Sequence, residues 1–293
     1  MEFKNNTFKI VQFTDTHFGN LPHHEDDIRT FNLIDKILTD EKPDLIVHTG
    51  DIMWSDGVKN SDKVFQIVME YFDKYDIPLA ITFGNHDSEE GITRSELRDI
   101  YEKTISKKPE KKDSFIIDDK ENYVITLSDN GEDIAYLYFI DSGADDRFGY
   151  GTYEWVLPEQ VEWFRHTADK NKKNDGIKRG IIFQHIPIPE YWQSKENILY
   201  GVQEETNEAI SAPKINTGLF ANMLLNGEIW GMLVGHDHEN NFDSELFGIH
   251  LTYANSSGYQ AYGDIAKGAT VIEITNNPFE IKTRNVQIDA DKQ

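Results

Sequence analysis

No cysteine occurs anywhere in the 293 residues. Disulfides, zinc ribbons, iron–sulfur clusters and thiol nucleophiles are therefore excluded. No run of about 18 apolar residues exists, so no transmembrane helix is expected. The first residues, 1–6, lack the apolar stretch of a signal peptide, which points to a cytoplasmic protein. Positive charge is scarce, with 29 Lys+Arg against 52 Asp+Glu and a formal charge of −23. A surface that acidic repels phosphate backbones and anionic lipids, so neither nucleic acid nor membrane is an expected partner. No obligate protein partner is inferred. What the chain does have is apolar material, 38% of its residues, enough for a large core. Neither an internal repeat nor a linker interrupts it, so one domain over 1–293 is expected.

Hydrophobic spacing gives a coarse map. Residues 8–13 read as a strand. Ile28, Phe31, Ile34, Ile37 and Leu38 recur at helical spacing. Residues 45–48 form a short buried strand, Ser61 can cap a second helix, and 79–82 form a third strand. This alternation predicts a parallel α/β layer. The charged stretch 103–121 reads as a solvated excursion. Residues 123–127 and 134–140 flank Asn130-Gly131, a strong hairpin signal. Pro158 opens a helix running to about residue 173. Residues 181–183 and 229–234 read as buried strands, 217–226 as a helix, and 248–254, 269–275 and 279–287 as strands. Residues 186–216 show no period and carry Pro187, Pro189 and Pro213. A long irregular segment of this kind is usually functional or disordered.

The chemistry sits just after the strands. The first is followed by Asp15-Thr16-His17, the second by Gly50-Asp51, and the third by Gly84-Asn85-His86-Asp87. Gln184-His185 and Gly235-His236-Asp237-His238 follow two later ones. In open α/β sheets the ligand crevice lies at the carboxyl ends of the strands. Asp15, His17, Asp51, Asn85, His185, His236 and His238 would then share one rim. Oxygen and imidazole donors without thiolate suit Fe, Mn, Zn or Co. Seven donors exceed one tetrahedral zinc and suit two metal ions sharing a carboxylate, an arrangement that clamps a phosphoryl group. His48 reads as a support for the site. His23, His24, His166 and His250 fit no element of the pattern.

Asp-x-His, Gly-Asp, Gly-Asn-His-Asp, a lone His and Gly-His-x-His, in that order, resemble the calcineurin-like metallophosphoesterases. The resemblance runs from Asp15 to His238 and is nearest to the small purple-acid-phosphatase-like branch. Phe183-Gln184-His185-Ile186-Pro187-Ile188-Pro189-Glu190 and Gly258-Tyr259-Gln260-Ala261-Tyr262-Gly263 are similar to that branch's motifs. It implies an α/β fold in which two mixed β-sheets pack as a four-layer sandwich flanked by helices. It further implies that Asp15, His17 and His238 hold one metal, that Asn85, His185 and His236 hold a second, and that Asp51 bridges them. His86 would act on the leaving group or the phosphoryl oxygens. Asp87 would orient His86, or else serve as a turn residue. Purple enzymes place a tyrosine ligand three residues after the Gly-Asp aspartate. Trp54 stands there in this chain, so a coloured tyrosinate–iron centre is not expected unless Tyr150 or Tyr153 supplies the ligand.

The expected reaction is hydrolysis of a small phosphate monoester by attack of a metal-bound hydroxide. A phosphodiesterase for cyclic nucleotides or glycerophosphodiesters is the alternative. A metal-binding regulatory protein without activity is the alternative of another class, and a nuclease fits the acidic charge worst. The insertion at about 186–216 would cover the site and offer Glu190 and Tyr191 to substrate, with Trp192, Glu204, Glu205 and Asn216 as further contacts. The competing reading is a solvated loop with Tyr191 and Trp192 tucked into the core.

Overall fold

The computed structural model describes residues 1–204 and 210–288. Its first third alternates as β1 (Thr7–Phe13), α1 (Glu25–Glu41), β2 (Leu45–His48), α2 (Ser61–Asp73), β3 (Leu79–Ile81) and α3 (Arg94–Thr104). Local chemistry starts the helices. His24 and Asp27 form a reciprocal cap on α1, and Glu25, Asp26 and Asp27 place negative charge against its amino-terminal dipole. Ser61 is the first helical residue of α2, and Asn60 occupies the cap position. Thr93 and Glu96 cap α3 reciprocally.

The remaining elements are β4 (Lys112–Ile117), β5 (Lys120–Asp129), β6 (Glu132–Ile140), α4 (Pro158–Asn171), β7 (Gly180–Phe183), α5 (Tyr191–Ser194), β8 (Ile198–Tyr200), α6 (Leu219–Asn226), β9 (Ile229–Val234), β10 (Asp243–Leu246), β11 (Ile249–Tyr253), β12 (Gly268–Thr275) and β13 (Glu280–Gln287). β5 and β6 turn at Asn130 and Gly131, both at positive φ (51° and 84°), the geometry that joins twisted strands without splaying them. β4 lies inside the charged stretch expected to be solvated. As the first strand of its sheet it has one unpaired edge, and a charged edge strand reads like a loop.

Two mixed sheets result, one ordered β13-β12-β1-β2-β3 and the other β4-β5-β6-β7-β9-β11-β10-β8. Within them β1, β2 and β3 run parallel, as do β6, β7, β9 and β11. Strand alternation builds the layers. Ile10, Leu45 and Val47 face a core between the sheets with Phe139, Ile181, Phe183 and Leu233. Val11, Phe13 and Ile46 face the opposite way, against Ile34, Ile37, Phe65 and Val68 of α1 and α2. On the far side of the second sheet, Tyr138, Ile182 and Met232 pack with Phe164 of α4 and Met223 of α6. The order is helix, sheet, sheet, helix.

Residues 186–216 are more regular than expected. After α5 and a 3₁₀ turn (Lys195–Asn197), β8 pairs with β10 at the sheet edge. This corrects the assignment of Tyr191 to substrate. Its ring is buried in the core of the second sheet, and its hydroxyl is hydrogen-bonded to the Met232 and Thr252 carbonyls at 3.0 and 3.2 Å. Trp192, its neighbour, is exposed. Glu205 lies outside the described residues.

Candidate metal centre

Both sheets deliver side chains to one place. Asp15 and His17 follow β1, Asp51 follows β2, and Asn85 follows β3 of the five-stranded sheet. His185 follows β7, and His236 and His238 follow β9 of the eight-stranded sheet. All seven are buried. Backbone bonds hold the turns together: Asp15 N–H donates to the Gly50 carbonyl, His17 N–H to that of Asp51, and Gly235 N–H to that of His185. The glycines are there for space. A Cβ on Gly84 would overlap the Asp51 carboxylate, and one on Gly235 would overlap Thr14. Asp15, His17, Asp51 and His236 all take positive φ, a conformation that costs about 1–3 kcal/mol each and tends to collect at functional sites.

Donor atoms of Asp15, His17, Asp51 and His238 lie within 4.8 Å of one another, as do those of Asp51, His185 and His236. Asp51 belongs to both groups. One of its oxygens is 3.6 Å from His17 Nε2 and 3.2 Å from His185 Nε2, and the other accepts the His86 N–H at 2.9 Å. Whether these residues fit metal ions can be judged from what they leave unsatisfied. His185 Nε2, His236 Nε2 and Asn85 Oδ1 are buried without a hydrogen-bond partner. His17 Nε2 and His238 Nε2 face each other at 3.1 Å. Unpaired buried acceptors are costly unless a cation sits among them. The Thr49 carbonyl lies 2.8 Å from His185 Nδ1. A proton held there leaves the Nε2 lone pair free, which is how an outer partner fixes a liganding imidazole. The residues fit.

The electrostatics point the same way. Burial opposes charge on His185, but the Asp51 carboxylate beside it wins and carries its pKa up to about 9. Burial pulls His17 down to about 3 and His236 to about 4, against the nearby carboxylates. Burial disfavours ionised Asp51 and Asp15, yet the surrounding imidazoles hold both well below the usual carboxylate range. Two carboxylates kept ionised in a buried nest of imidazoles, with His17 and His236 held neutral by burial, form a cation-binding environment.

Asp87 does not orient His86. Its buried carboxylate accepts backbone N–H groups from Gly84 (2.7 Å), Asp51 (2.9 Å), Ile52 (2.8 Å) and Met53 (3.1 Å). It ties the turn after β3 to the turn after β2. Glu89 is the partner of His86, with its Oε1 2.7 Å from His86 Nδ1. Burial works against charge on His86, but this bond and the Asp51 and Glu89 charges raise its pKa. Arg94 anchors the same turn through the Gly84 carbonyl and an ion pair with Asp141 at 2.9 Å. Glu190 accepts from Asn216 within its own segment at 2.7 Å. His48 braces the rim through Thr16 and Gly50. His23, His24, His166 and His250 pair with nearby carboxylates elsewhere.

The sequence profile of the calcineurin-like phosphoesterases matches residues 8–240, and so spans both groups of donors. The chain belongs to the calcineurin-like phosphoesterase family. It is 32% identical over 290 residues to "Probable inactive purple acid phosphatase 29" of Arabidopsis thaliana, covering 88% of this chain and 74% of that one. It is 30% identical to "Phosphatase DCR2" of Saccharomyces cerevisiae, covering 94% of this chain and 53% of the yeast protein. A dimetal phosphatase from Danio rerio shares the fold, with a TM-score of 0.67, 14% identity, and coverage of 96% of this chain and 97% of the other.

Three aromatic contacts add to the donor motifs. Trp54 stacks on His86, Tyr153 meets His236 edge-on, and Tyr262 lies over His238. Tyr262 lies in the Gly258–Gly263 stretch that resembles the family's motifs and Tyr153 is a candidate tyrosine ligand, but only folding gives each its contact with an imidazole. Glu89 had a local signal: a carboxylate three residues beyond a histidine can reach its ring within a turn.

Proposed function

We propose that the chain is a metal-dependent hydrolase of small phosphate monoesters with a dinuclear centre. The observation that carries this reading is the pair of overlapping donor groups with Asp51 in both. Asp15, His17 and His238 would hold one ion, Asn85, His185 and His236 the second, and Asp51 would bridge. When bound, the two ions supply positive charge to the phosphoryl oxygens and a water made nucleophilic at neutral pH.

The chain's own residues do the rest. Asp51 is kept in place by the His86 N–H, and its turn is clamped from beneath by Asp87. Thr49 sets the tautomer of His185. Glu89 holds His86 by Nδ1 and favours its protonated form. His86 Nε2 is then the proton donor for a leaving alkoxide, a role worth about 10²–10⁴-fold. Trp54, stacked at 4.1 Å on His86, restricts that ring further. Indole supplies no anionic oxygen, so the loaded protein is expected to be colourless or faintly coloured. A monoester is favoured because the relatives' names include phosphatases.

The words "probable inactive" in a relative's name favour a second reading, an inactive metal-binding protein. Against it stand the complete donor set and the braced His86. The test is to load the chain separately with Mn, Zn and Fe and assay alkyl and aryl monoesters beside bis-p-nitrophenyl phosphate. Monoester turnover that exceeds diester turnover supports the proposal. A loaded protein inert on the whole panel sustains the second reading, and a diester preference moves the chain to the phosphodiesterases.

A further inference from the structure

We propose that the mouth of this centre is an aromatic subsite for the leaving group. The preferred substrate would be a monoester whose alcohol carries a flat, uncharged aromatic ring. The inference rests on the phosphoesterase reading above and adds the substrate class.

Four of the imidazoles at the site, those of His17, His86, His236 and His238, carry an aromatic neighbour. Trp54 lies at 4.1 Å and 14° on His86 and at 5.2 Å from His17. Tyr262 is 4.1 Å from His238, and Tyr153 is 4.3 Å from His236 at 87°. These rings are not sealed into the core: Trp54 is 41% exposed and Tyr262 51%. Tyr153 also anchors a loop. It is bridged to Asp145, and the Asp146 carboxylate accepts the Phe148 and Gly151 N–H groups at 2.7 and 2.6 Å. That bracing presents Phe148 and Tyr150 at the tip, 56% and 62% exposed, each within 6.1 Å of Trp155. The tip is at most five residues from Tyr153, so it lies within about 17 Å of it.

Exposed rings grouped beside a buried polar centre are the usual mark of a ligand surface. Aromatic rings prefer one another in offset or edge-on contact, a preference that a puckered aliphatic ring of the same size does not share. The charges favour a neutral leaving group. Arg147, the cation of this loop, is already paired with Asp118 and with Glu154 at 3.3 Å. It has no charge to spare for a second phosphate, and the protein as a whole is strongly acidic.

The experiment uses the metal-loaded full chain with two matched pairs of probes. Calorimetry compares 2-phenylethylphosphonate with 2-cyclohexylethylphosphonate, which share the phosphonate and tether and differ in having an aromatic or a saturated six-membered ring. Binding is expected to be about 3- to 10-fold tighter for the phenyl probe, from the strength of one aromatic contact. Trp54→Ala and, separately, Phe148→Ser should move that ratio toward one. Both residues are exposed, so folding should survive, and melting curves check that it does. Equal affinities, a ratio unmoved by both variants, or no binding of either probe overturns the inference. Turnover of the corresponding 2-phenylethyl and 2-cyclohexylethyl phosphates separates the two claims. If both esters are hydrolysed at equal kcat/KM, the aromatic subsite fails and the phosphatase reading stands. If neither is hydrolysed but the phenyl preference in binding persists, the phosphatase reading fails and the subsite stands.

Discussion

The floor of the site and its mouth are built by opposite means. The floor takes its side chains from the first residues after five strands, two sheets converging, with every donor buried. It contains four non-glycine residues at positive φ, and its turns are tied by backbone hydrogen bonds and by Asp87. The mouth takes its rings from the turn after β2, from the loop between β6 and α4, and from the stretch between β11 and β12, and much of their surface faces water. Strained, buried and heavily bonded structure fixes where charge can lie. Exposed rings on loops would, on the proposed reading, adjust which ester fits. Changes to the floor should therefore appear in metal content and stability, and changes to the mouth in substrate preference.

The most damaging floor substitution is Asp51→Ala. It removes the carboxylate common to both donor groups. Metal content should fall from about two ions per chain toward zero, and turnover should drop at least ~10²–10³-fold, the range for losing one preorganised electrostatic contact. Elemental analysis of dialysed protein and a phosphate-release assay read the two effects. Retention of both ions would show that Asp51 is not the bridge.

His86→Ala tests the boundary between floor and mouth. Both ions should remain, while turnover of alkyl phosphates falls about 10²–10⁴-fold. Hydrolysis of p-nitrophenyl phosphate should fall less, since that leaving group hardly needs a proton. An equal loss on both esters would place His86 on the phosphoryl oxygens.

Asp87→Ala separates support from catalysis. It leaves four buried N–H groups without their acceptor. Stability should fall by about 1–3 kcal/mol, the cost of leaving buried donors unsatisfied, measured by urea unfolding of the metal-free protein. Unchanged stability with reduced activity would return Asp87 to a direct role beside His86.

A pH effect follows from His185. Its pKa is raised to about 9 in the metal-free fold, above the ordinary 6.5. The stability it contributes is therefore complete below pH 6.5 and is lost as pH rises through 9. A cation can use Nε2 only after that proton leaves. Metal affinity should rise with pH up to about 9, and uptake at pH 7 should release a proton. Calorimetric titrations in buffers of different ionisation enthalpy measure it, and a pH-independent affinity would exclude His185 from the site.

How far this could be read beforehand follows the same divide. The rim donors were legible because each sits within four residues of an apolar strand, so local spacing announces it. The Asn130-Gly131 hairpin was legible for a similar reason, whereas the two mixed sheets were implied by the family resemblance and local spacing gave only the parallel α/β layer. β4 was hidden by the charges of an edge strand. Tyr191 misled because an aromatic in a proline-rich stretch looks available, whereas α5 turns it into the core. Asp87 misled because sequence adjacency to His86 says nothing about which way a carboxylate turns, and it turned to four backbone donors. The contacts of Tyr153 with His236 and of Tyr262 with His238 come only through tertiary packing, which no local pattern records.

The central claim is two ions sharing Asp51, and anomalous diffraction from crystals of the Mn- or Zn-loaded chain tests it most directly. The account predicts two peaks flanking the Asp51 carboxylate, one among Asp15, His17 and His238, the other among Asn85, His185 and His236. A single peak, or two peaks of which neither touches Asp51, would contradict it.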